Sequence, residues 1–237
     1  MSRRDATQKS TQTIDEIPVP AGLPGREREV TVCFVDLRNY TRHTEENTPA
    51  DVYRFLSEYF QVVGEVVGRH GGTIVEFQGD GVVVAFGALD DLADKEATAL
   101  RATREIRRVT RALGIPIRIG VATGTAFVGQ MSALDRRAFC VIGHPTVMAA
   151  SLQGLADELG CGIVADEQTV RAAGREAGLR RHRRHAIEGS SQRHDVFAVH
   201  EEGDASAATL PGVRLPVNGW SAALPCPLAL ELGRAAV

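Results

Sequence analysis

Two apolar segments that each run into an aspartate constrain this chain more than any other feature. The first is residues 30–40, Val-Thr-Val-Cys-Phe-Val-Asp-Leu-Arg-Asn-Tyr, and the second is residues 73–86, Thr-Ile-Val-Glu-Phe-Gln-Gly-Asp-Gly-Val-Val-Val-Ala-Phe. Asp36 and Asp80 stand where an apolar strand stops, and an isolated carboxylate beside a strand core is costly unless its charge is compensated. Two such aspartates, on strands that can pair, could hold hard cations against a triphosphate.

Length and composition indicate one folded domain with tails. The chain has 237 residues, of which 43% are apolar, and this is enough to bury a full core. Its net charge of -3 gives no electrostatic reason to expect binding to nucleic acid or to a membrane surface. The N-terminus is polar and no later segment is long and apolar enough to span a bilayer, so we expect a soluble, cytoplasmic protein.

The cysteines agree with a reducing compartment. Cys33, Cys140, Cys161 and Cys226 are scattered along the chain without the CxxC spacing of metal and redox sites. Cys33 and Cys140 fall within strand-like segments, which favours buried free thiols.

Composition divides the chain into three parts. Residues 1–27 are polar and then rich in proline and glycine, which predicts a flexible tail. Residues 28–200 carry regular apolar periodicity and form the expected domain. Residues 201–237 are rich in alanine, proline and glycine with little periodicity, and we expect them to be a C-terminal extension.

Strand-like and helix-like segments alternate within the domain. Strands are expected at residues 29–37, 73–77, 82–86, 115–121, 125–129, 138–142 and 161–165, with a final strand pair within 185–199. Helices are expected from Pro49 to the Gly71-Gly72 pair, and at residues 94–113, 145–159 and 166–177, with Thr48 as the N-cap of the first. This order predicts an α/β sandwich, in which helices pack on a mixed sheet.

Four segments resemble one known family. Residues 34–41, Phe-Val-Asp-Leu-Arg-Asn-Tyr-Thr, and residues 77–87, Phe-Gln-Gly-Asp-Gly-Val-Val-Val-Ala-Phe-Gly, are similar to the two metal-site motifs of class III nucleotide cyclases. Residues 117–124, Ile-Arg-Ile-Gly-Val-Ala-Thr-Gly, and residues 140–145, Cys-Val-Ile-Gly-His-Pro, resemble the next segments of that family in the same order. The resemblance implies a ferredoxin-like core, an α+β sandwich with a mixed, mainly antiparallel sheet and helices.

The resemblance also implies an activity and a site. In this family a ribose 3′-hydroxyl attacks the α-phosphate of a nucleoside triphosphate and pyrophosphate leaves, with the help of two divalent cations, Mn²⁺ or Mg²⁺. Asp36 and Asp80 are then the catalytic metal ligands. The backbone of residues 37–41 would hold phosphate oxygens as it turns from strand into helix. The substrate contacts implied by the resemblance are Leu37, Asn39, Tyr40, Thr41, Glu76, Gly79 and Cys140.

The same resemblance implies a homodimer with active sites at the interface, where the metal aspartates of one chain face the base-reading residues of the other. Glu76 stands where adenylate cyclases usually have lysine and guanylate cyclases glutamate. Cys140 stands where guanylate cyclases often have cysteine, and Tyr40 replaces the usual phenylalanine. A carboxylate accepts hydrogen bonds from base N–H groups, so the pair disfavours ATP and favours GTP or a pyrimidine nucleotide, UTP or CTP. An exposed strand residue at Glu76 and a core thiol at Cys140 are the alternatives.

The sequence departs from the family on its third helix. Val147 and Ser151 occupy the positions of an asparagine that orients the ribose and an arginine that stabilises charge on the α-phosphate, and Glu188 replaces a lysine. Five arginines are candidates to replace them: Arg136, Arg137, Arg183, Arg184 and Arg193. The alternative is a non-catalytic module for nucleotide binding or dimerisation. Pyrimidine cyclases of bacterial antiphage systems are similar in being short, stand-alone domains with altered base pockets, whose product would act as a second messenger on a separate receptor.

Overall fold

A computed structural model of the protein describes residues 25–133, 136–174, 179–187 and 192–199. The strands are β1 Arg26–Leu37, β2 Thr73–Gln78, β3 Gly81–Phe86, β4 Ile117–Ala133, β5 Arg136–Ile142, β6 Ile163–Asp166, β7 Arg180–Ala186 and β8 Arg193–Val199. The helices are α1 Tyr40–Glu46, α2 Pro49–Arg69, α3 Lys95–Ala112, α4 His144–Glu158 and α5 Glu167–Ala173. The N-terminal tail as far as residue 24 and the C-terminal extension lie outside the described residues.

The strands form one sheet in the order β2-β3-β1-β4-β6-β8-β7, and β5 pairs with the C-terminal half of β4. All neighbours in the described sheet are antiparallel except β4 and β6, which are parallel. This arrangement confirms the predicted α+β sandwich with a mixed, mainly antiparallel sheet. No described helix is long and apolar enough to cross a bilayer.

Both faces of the sheet are buried because helices cover each of them. Along β1 the side chains alternate: Val32 belongs to the core on one face, while Cys33 and Val35 belong to the core on the other. Helices α2 and α3 pack on the second face, and α4 packs on the first through residues such as Leu152. Strand β1 therefore lies at the centre of the domain, and its C-terminal end is held between two layers of helices.

The predicted start of α2 is confirmed in detail. The Thr48 hydroxyl accepts a hydrogen bond from the Asp51 amide over 3.3 Å, and Pro49 occupies the first helical position. Gly71, with a φ of 68°, follows the end of the helix in the left-handed conformation that glycine adopts without strain. Cys33, Cys140 and Cys161 are free cysteines; Cys33 is buried as predicted, whereas Cys140 is only half-buried, and Cys226 lies outside the described residues.

Several element boundaries differ from the prediction. The strands expected at 115–121 and 125–129 are one strand, β4, because the intervening residues keep their pairing with β1, with Gly124 opposite Val30. Strand β7 begins at Arg180 rather than 185, and its charged residues lie on an edge strand, where they are tolerated. The short helix α1 follows directly after the turn from β1 and has no counterpart among the predicted helix ranges.

Candidate active site

The structure brings Asp36 and Asp80 together. Asp36 is the penultimate residue of β1, and Asp80 is the second residue of the loop between β2 and β3. Strands β1 and β3 are antiparallel neighbours with Val35 opposite Val82, so the end of β1 lies beside the start of β3. Gly79, the other loop residue, has a φ of 64°, which this tight turn requires and glycine supplies without strain.

The two carboxylates interact directly. Burial raises the pKa of Asp80 to about 6, and the charge of Asp36 and a hydrogen bond between the two side chains act in the same direction. The backbone N–H groups of Asp80 and Leu37 donate to the Asp80 carboxylate and partly offset this rise in pKa. A cation between the two aspartates would relieve the repulsion that this geometry creates.

Asp36 is also held by two other side chains. The Nε and Nη2 atoms of Arg118 donate to its Oδ2 over 3.0 and 2.8 Å, and Nε2 of Gln153 donates to the same oxygen over 2.9 Å. The exposed fraction is 14% for the Asp36 side chain and 30% for that of Arg118, so water screens this ion pair less than a surface pair.

The ion pair continues into a network. Nη1 of Arg118 lies 2.8 Å from Oδ2 of Asp157, and Oδ1 of Asp157 lies 2.9 Å from Nη1 of Arg38. Nη2 of Arg38 donates to the carbonyl of Cys161 over 2.7 Å. None of these side chains is among the site residues predicted from the sequence. The one available signal is a charged residue, Arg118, inside an otherwise apolar strand.

A buried hydroxyl lies close to the carboxylate pair. Tyr59, on α2, is fully buried, and its hydroxyl has no hydrogen-bond partner among the residues that the structure describes. Burial raises the pKa of Tyr59, and the charges of Asp36 and Asp80 raise it further, so the hydroxyl is within electrostatic range of both. A hydrated cation at the pair would offer such an unpaired group a partner.

The donor set fits a hard divalent cation. Mg²⁺ is usually held in nucleotide sites by one or two carboxylates, with water and substrate phosphates as the remaining ligands, and Mn²⁺ favours the same oxygen ligands. Among the described residues, no group of three or more His, Cys, Asp or Glu side chains could hold a metal. A cation held by Asp36 and Asp80 would therefore keep coordination positions for water and for the phosphates of a substrate.

The turn from β1 into α1 presents backbone N–H groups. Asn39 has a φ of 61°, a left-handed conformation that asparagine tolerates better than most residues. The Leu37 amide already donates to Asp80. The amides of Asn39, Tyr40 and Thr41 lie at the first turn of α1, where a helix has no internal acceptors for its N–H groups. These three amides are candidate donors to a phosphate.

The residues expected to read the base lie on two other strands. Glu76 is exposed on β2, and its Oε1 accepts a hydrogen bond from Nε2 of Gln78. Cys140 is half-buried on β5, and its thiol donates to the Ala138 carbonyl over 3.6 Å. Strands β2 and β5 approach within 8 Å between Cα atoms, so one chain presents both residues from strands that lie close together.

Tyr40 lies with the carboxylates instead. It packs against the core beside α2, burial raises its pKa, and the charge of Asp80 raises that pKa further. Within one chain, Tyr40 therefore belongs to the same group as Asp80, whereas Glu76 and Cys140 take no described part in the hydrogen bonds of the carboxylate pair.

Helix α4 presents neither an amide side chain nor a cationic side chain at the two positions that depart from the family. Val147 is 62% exposed, and the Ser151 hydroxyl donates to the Val147 carbonyl over 3.1 Å. Of the arginines considered as replacements, Arg137 and Arg193 have exposed side chains. The side chains of Arg136, Arg183 and Arg184, and all of Glu188, lie outside the described residues.

The hairpin of β4 and β5 carries an exposed apolar strip, formed by Phe127, Met131 and Ile142. Their exposed fractions are 50, 54 and 50%. Phe127 is directly opposite Ile142 in the strand pairing. Exposed apolar residues that cluster in this way are typical of protein–protein contact surfaces.

Residues 24–198 match the family described as the Adenylate and Guanylate cyclase catalytic domain. An uncharacterized protein of Mycobacterium tuberculosis is 37% identical over 160 residues, which are 67% of this chain and 30% of that protein. Adenylate cyclase 1 of Rhizobium meliloti is 33% identical over 159 residues, which are 63% of this chain and 24% of that protein. The chain thus spans less than a third of the length of these curated relatives.

Solved structures show the same fold. The guanylyl cyclase Cya2 is 28% identical with a TM-score of 0.61, and the match covers 73% of this chain and 92% of that one. A bacterial light-regulated adenylyl cyclase is 18% identical with a TM-score of 0.71, covering 80% of this chain and 57% of the other.

Proposed function

This chain belongs to the adenylate and guanylate cyclase catalytic-domain family, and from that premise we propose that it converts a nucleoside triphosphate to a 3′,5′-cyclic nucleotide and pyrophosphate. The observation that carries the proposal is that Asp36 and Asp80 meet at the adjacent ends of β1 and β3, where the charge of Asp36 helps to raise the pKa of Asp80. Burial and the charge of Asp36 disfavour the ionised form of Asp80, and a cation bound by both carboxylates would favour it.

Each group at the site then has a role. Asp36 and Asp80 would hold two divalent cations, Mn²⁺ or Mg²⁺. When bound, such cations neutralise the triphosphate and lower the pKa of the attacking 3′-hydroxyl. The amides of Asn39, Tyr40 and Thr41 would bind phosphate oxygens and fix the triphosphate relative to the aspartates.

For the base, we propose that Glu76 accepts a hydrogen bond from a base N–H, with Cys140 beside it. Guanine N1, uracil N3 and cytosine N4 carry such hydrogens, whereas adenine N1 is an acceptor. Opposing that acceptor with an unpaired carboxylate would cost about 1–3 kcal/mol, roughly a ten- to hundredfold preference against ATP. GTP, UTP and CTP are therefore the proposed substrates.

We propose a homodimer as the active form. Among the described hydrogen bonds of one chain, Glu76 and Cys140 make none to the carboxylate pair, and the exposed apolar strip of Phe127, Met131 and Ile142 offers a surface for a second copy. A complete site would then combine the aspartates of one chain with the base-reading residues of the other.

The second candidate is a non-catalytic module for nucleotide binding or dimerisation. The observation that favours it is the exposed apolar side chain of Val147, with Ser151 one turn further along α4. A group that stabilises transition-state charge is worth on the order of 10²–10³ in rate, and α4 presents none at these positions.

One assay separates the two candidates. The protein is incubated with Mn²⁺ or Mg²⁺ and each of ATP, GTP, CTP and UTP, and the products are identified by mass spectrometry. We expect a cyclic nucleotide, with ATP the poorest substrate. Asp36→Ala and Asp80→Ala should abolish it, while Asp90→Ala, at an exposed loop position, should not. If no triphosphate reacts with either cation, the non-catalytic module is the correct description.

A further inference from the structure

We propose that Arg118, held in place by Asp157, is a positioning residue that commits one oxygen of Asp36 to the protein and reserves the other for a divalent cation. The inference rests on the proposed role of Asp36 as a metal ligand. It adds a residue whose function is to set the geometry of that ligand.

The first step of the argument is the convergence of donors on a single oxygen. Oδ2 of Asp36 accepts from Nε and Nη2 of Arg118 and from Nε2 of Gln153, all within 3.0 Å. Three N–H donors saturate a carboxylate oxygen, so Oδ2 has no lone pair left for a cation. Oδ1 is the oxygen that remains available.

The second step is that Arg118 is itself held in place by an ion pair with Asp157. Its Nη1 donates to Oδ2 of Asp157 over 2.8 Å, and the other oxygen of Asp157 pairs with Arg38 over 2.9 Å. Arg38 is 13% exposed and is fixed in turn by the carbonyl of Cys161 over 2.7 Å. The guanidinium of Arg118 is thus held at both edges, by Asp36 on one and by Asp157 on the other.

The third step is the seating of α4, the helix that carries Gln153 and Asp157. A Cβ built on Gly120 of β4 would lie 1.9 Å from the Ala149 carbonyl oxygen and 2.4 Å from the Gln153 amide nitrogen. Only glycine permits such an approach, so the helix lies directly on the strand that carries Arg118. This contact fixes the distance between the donors on α4 and the carboxylate on β1.

Two roles for Arg118 predict opposite effects on cation binding. A positioning residue helps the cation, because a carboxylate locked in one rotamer loses no freedom when the cation binds. A residue that merely occupies the position of the cation weakens cation binding, because the guanidinium and the cation then compete for the Asp36 carboxylate. The sign of the change in Mn²⁺ affinity therefore decides between them.

The test is a titration of the full chain with Mn²⁺ alone, in which free Mn²⁺ is measured by electron paramagnetic resonance. Arg118→Lys keeps the positive charge but removes the pair of hydrogen bonds that the guanidinium donates to Asp36. Asp157→Asn removes the ion pair that holds Arg118 and leaves Asp36 unchanged. We expect both to weaken Mn²⁺ binding, Arg118→Lys by about tenfold, as is usual for partners of metal ligands. Glu158→Gln, an exposed residue on the same helix, is the matched control for loss of one negative charge and should bind as the parent does.

Unchanged or tighter Mn²⁺ binding by Arg118→Lys would overturn the proposal. Gln153→Met is a second variant, which removes one donor at nearly constant volume, and circular dichroism establishes that each variant is folded. Asp36→Asn separates this inference from the proposed function. If it binds Mn²⁺ as tightly as the parent, the metal assignment fails and the inference with it. If it loses Mn²⁺ while Arg118→Lys does not, only the positioning role fails.

Discussion

Burial of Asp80, together with the charge of the neighbouring Asp36, gives the cation-free protein a specific dependence on pH. The pKa of Asp80 is raised from 3.8 to about 6, so the folded protein binds this proton more tightly than the unfolded chain does. Ionisation of Asp80 therefore opposes folding, and its contribution to the free energy of unfolding decreases as pH rises from about 4 to about 6.

We predict that Asp80→Asn removes this decrease in the free energy of unfolding with rising pH. In the presence of EDTA, the difference in free energy of unfolding between the variant and the parent should grow in favour of the variant between pH 4 and 6 and stay constant above. Urea unfolding at a series of pH values measures it. Asp90→Asn is the control, and a difference that does not change with pH would contradict the raised pKa.

The Tyr59 hydroxyl is a second group near this site that lowers the free energy of unfolding. It is fully buried and has no partner within the described part of the chain, and an unsatisfied buried donor costs about 1–3 kcal/mol. We predict that Tyr59→Phe, which keeps the ring and removes the hydroxyl, raises the free energy of unfolding in EDTA by about 1 kcal/mol.

Tyr53→Phe is the control for this substitution, since Tyr53 lies on the same helix and is 75% exposed. Its free energy of unfolding should change by less than about 0.5 kcal/mol. A clear loss of stability in Tyr59→Phe would show that the buried hydroxyl has a partner in the folded protein.

Helix α4 presents two different surfaces. Val147 and Ser151 lie at positions that the family uses for catalysis in the neighbouring chain, whereas Gln153 and Asp157 hold the network around Asp36. The side chains of residues 147 and 153 point in directions about 120° apart around the helix axis, so the helix can serve both surfaces at once. The seating of α4 on β4 thus affects the site more than any single side chain of the helix does.

We predict that Gly120→Ala disrupts this seating. Its Cβ would meet backbone atoms of α4 at 1.9 and 2.4 Å, and backbone cannot move aside as a flexible side chain can. The expected loss in free energy of unfolding is about 3 kcal/mol or more, measured by urea unfolding. Gly154→Ala, on α4 with no atom within 4 Å of its Cβ, should instead gain about 0.5–1 kcal/mol. Equal effects at the two glycines would contradict the close contact.

At the scale of the whole molecule, the proposed dimer makes activity depend on concentration. Specific activity should fall when the protein is diluted below the dissociation constant of the dimer, because each site needs two chains. Analytical ultracentrifugation over the same concentrations measures the dimer directly, and activity that is constant while the dimer dissociates would refute a shared site.

Mixing inactive variants tests the same arrangement. Asp36→Ala lacks a proposed metal ligand and Glu76→Ala lacks a proposed base-reading group, so a mixed dimer would keep one site with both. We predict that the mixture recovers part of the activity that each variant lacks alone. Folded variants that exchange chains without any recovery would place both residues in the same site of one chain.

The sequence by itself determined the order of the elements and the position of the two aspartates. Apolar periodicity fixed β1, α2 and the β2–β3 hairpin, because these signals are local and each segment carries its own start and stop, as Thr48 and Gly71 do for α2. The motifs around Asp36 and Asp80 were sufficient for the family, since four segments in the same order rarely coincide by chance.

Only the tertiary structure decided what surrounds those aspartates. Arg118 and Gln153 are 82 and 117 residues from Asp36 along the chain, and their contacts depend on strand pairing and helix seating. The joining of the two predicted strands into β4 has the same origin, because its middle residues are held by pairing with β1 and not by their own propensity. Local preferences specify elements, whereas the geometry of a site depends on contacts between residues that are distant in sequence.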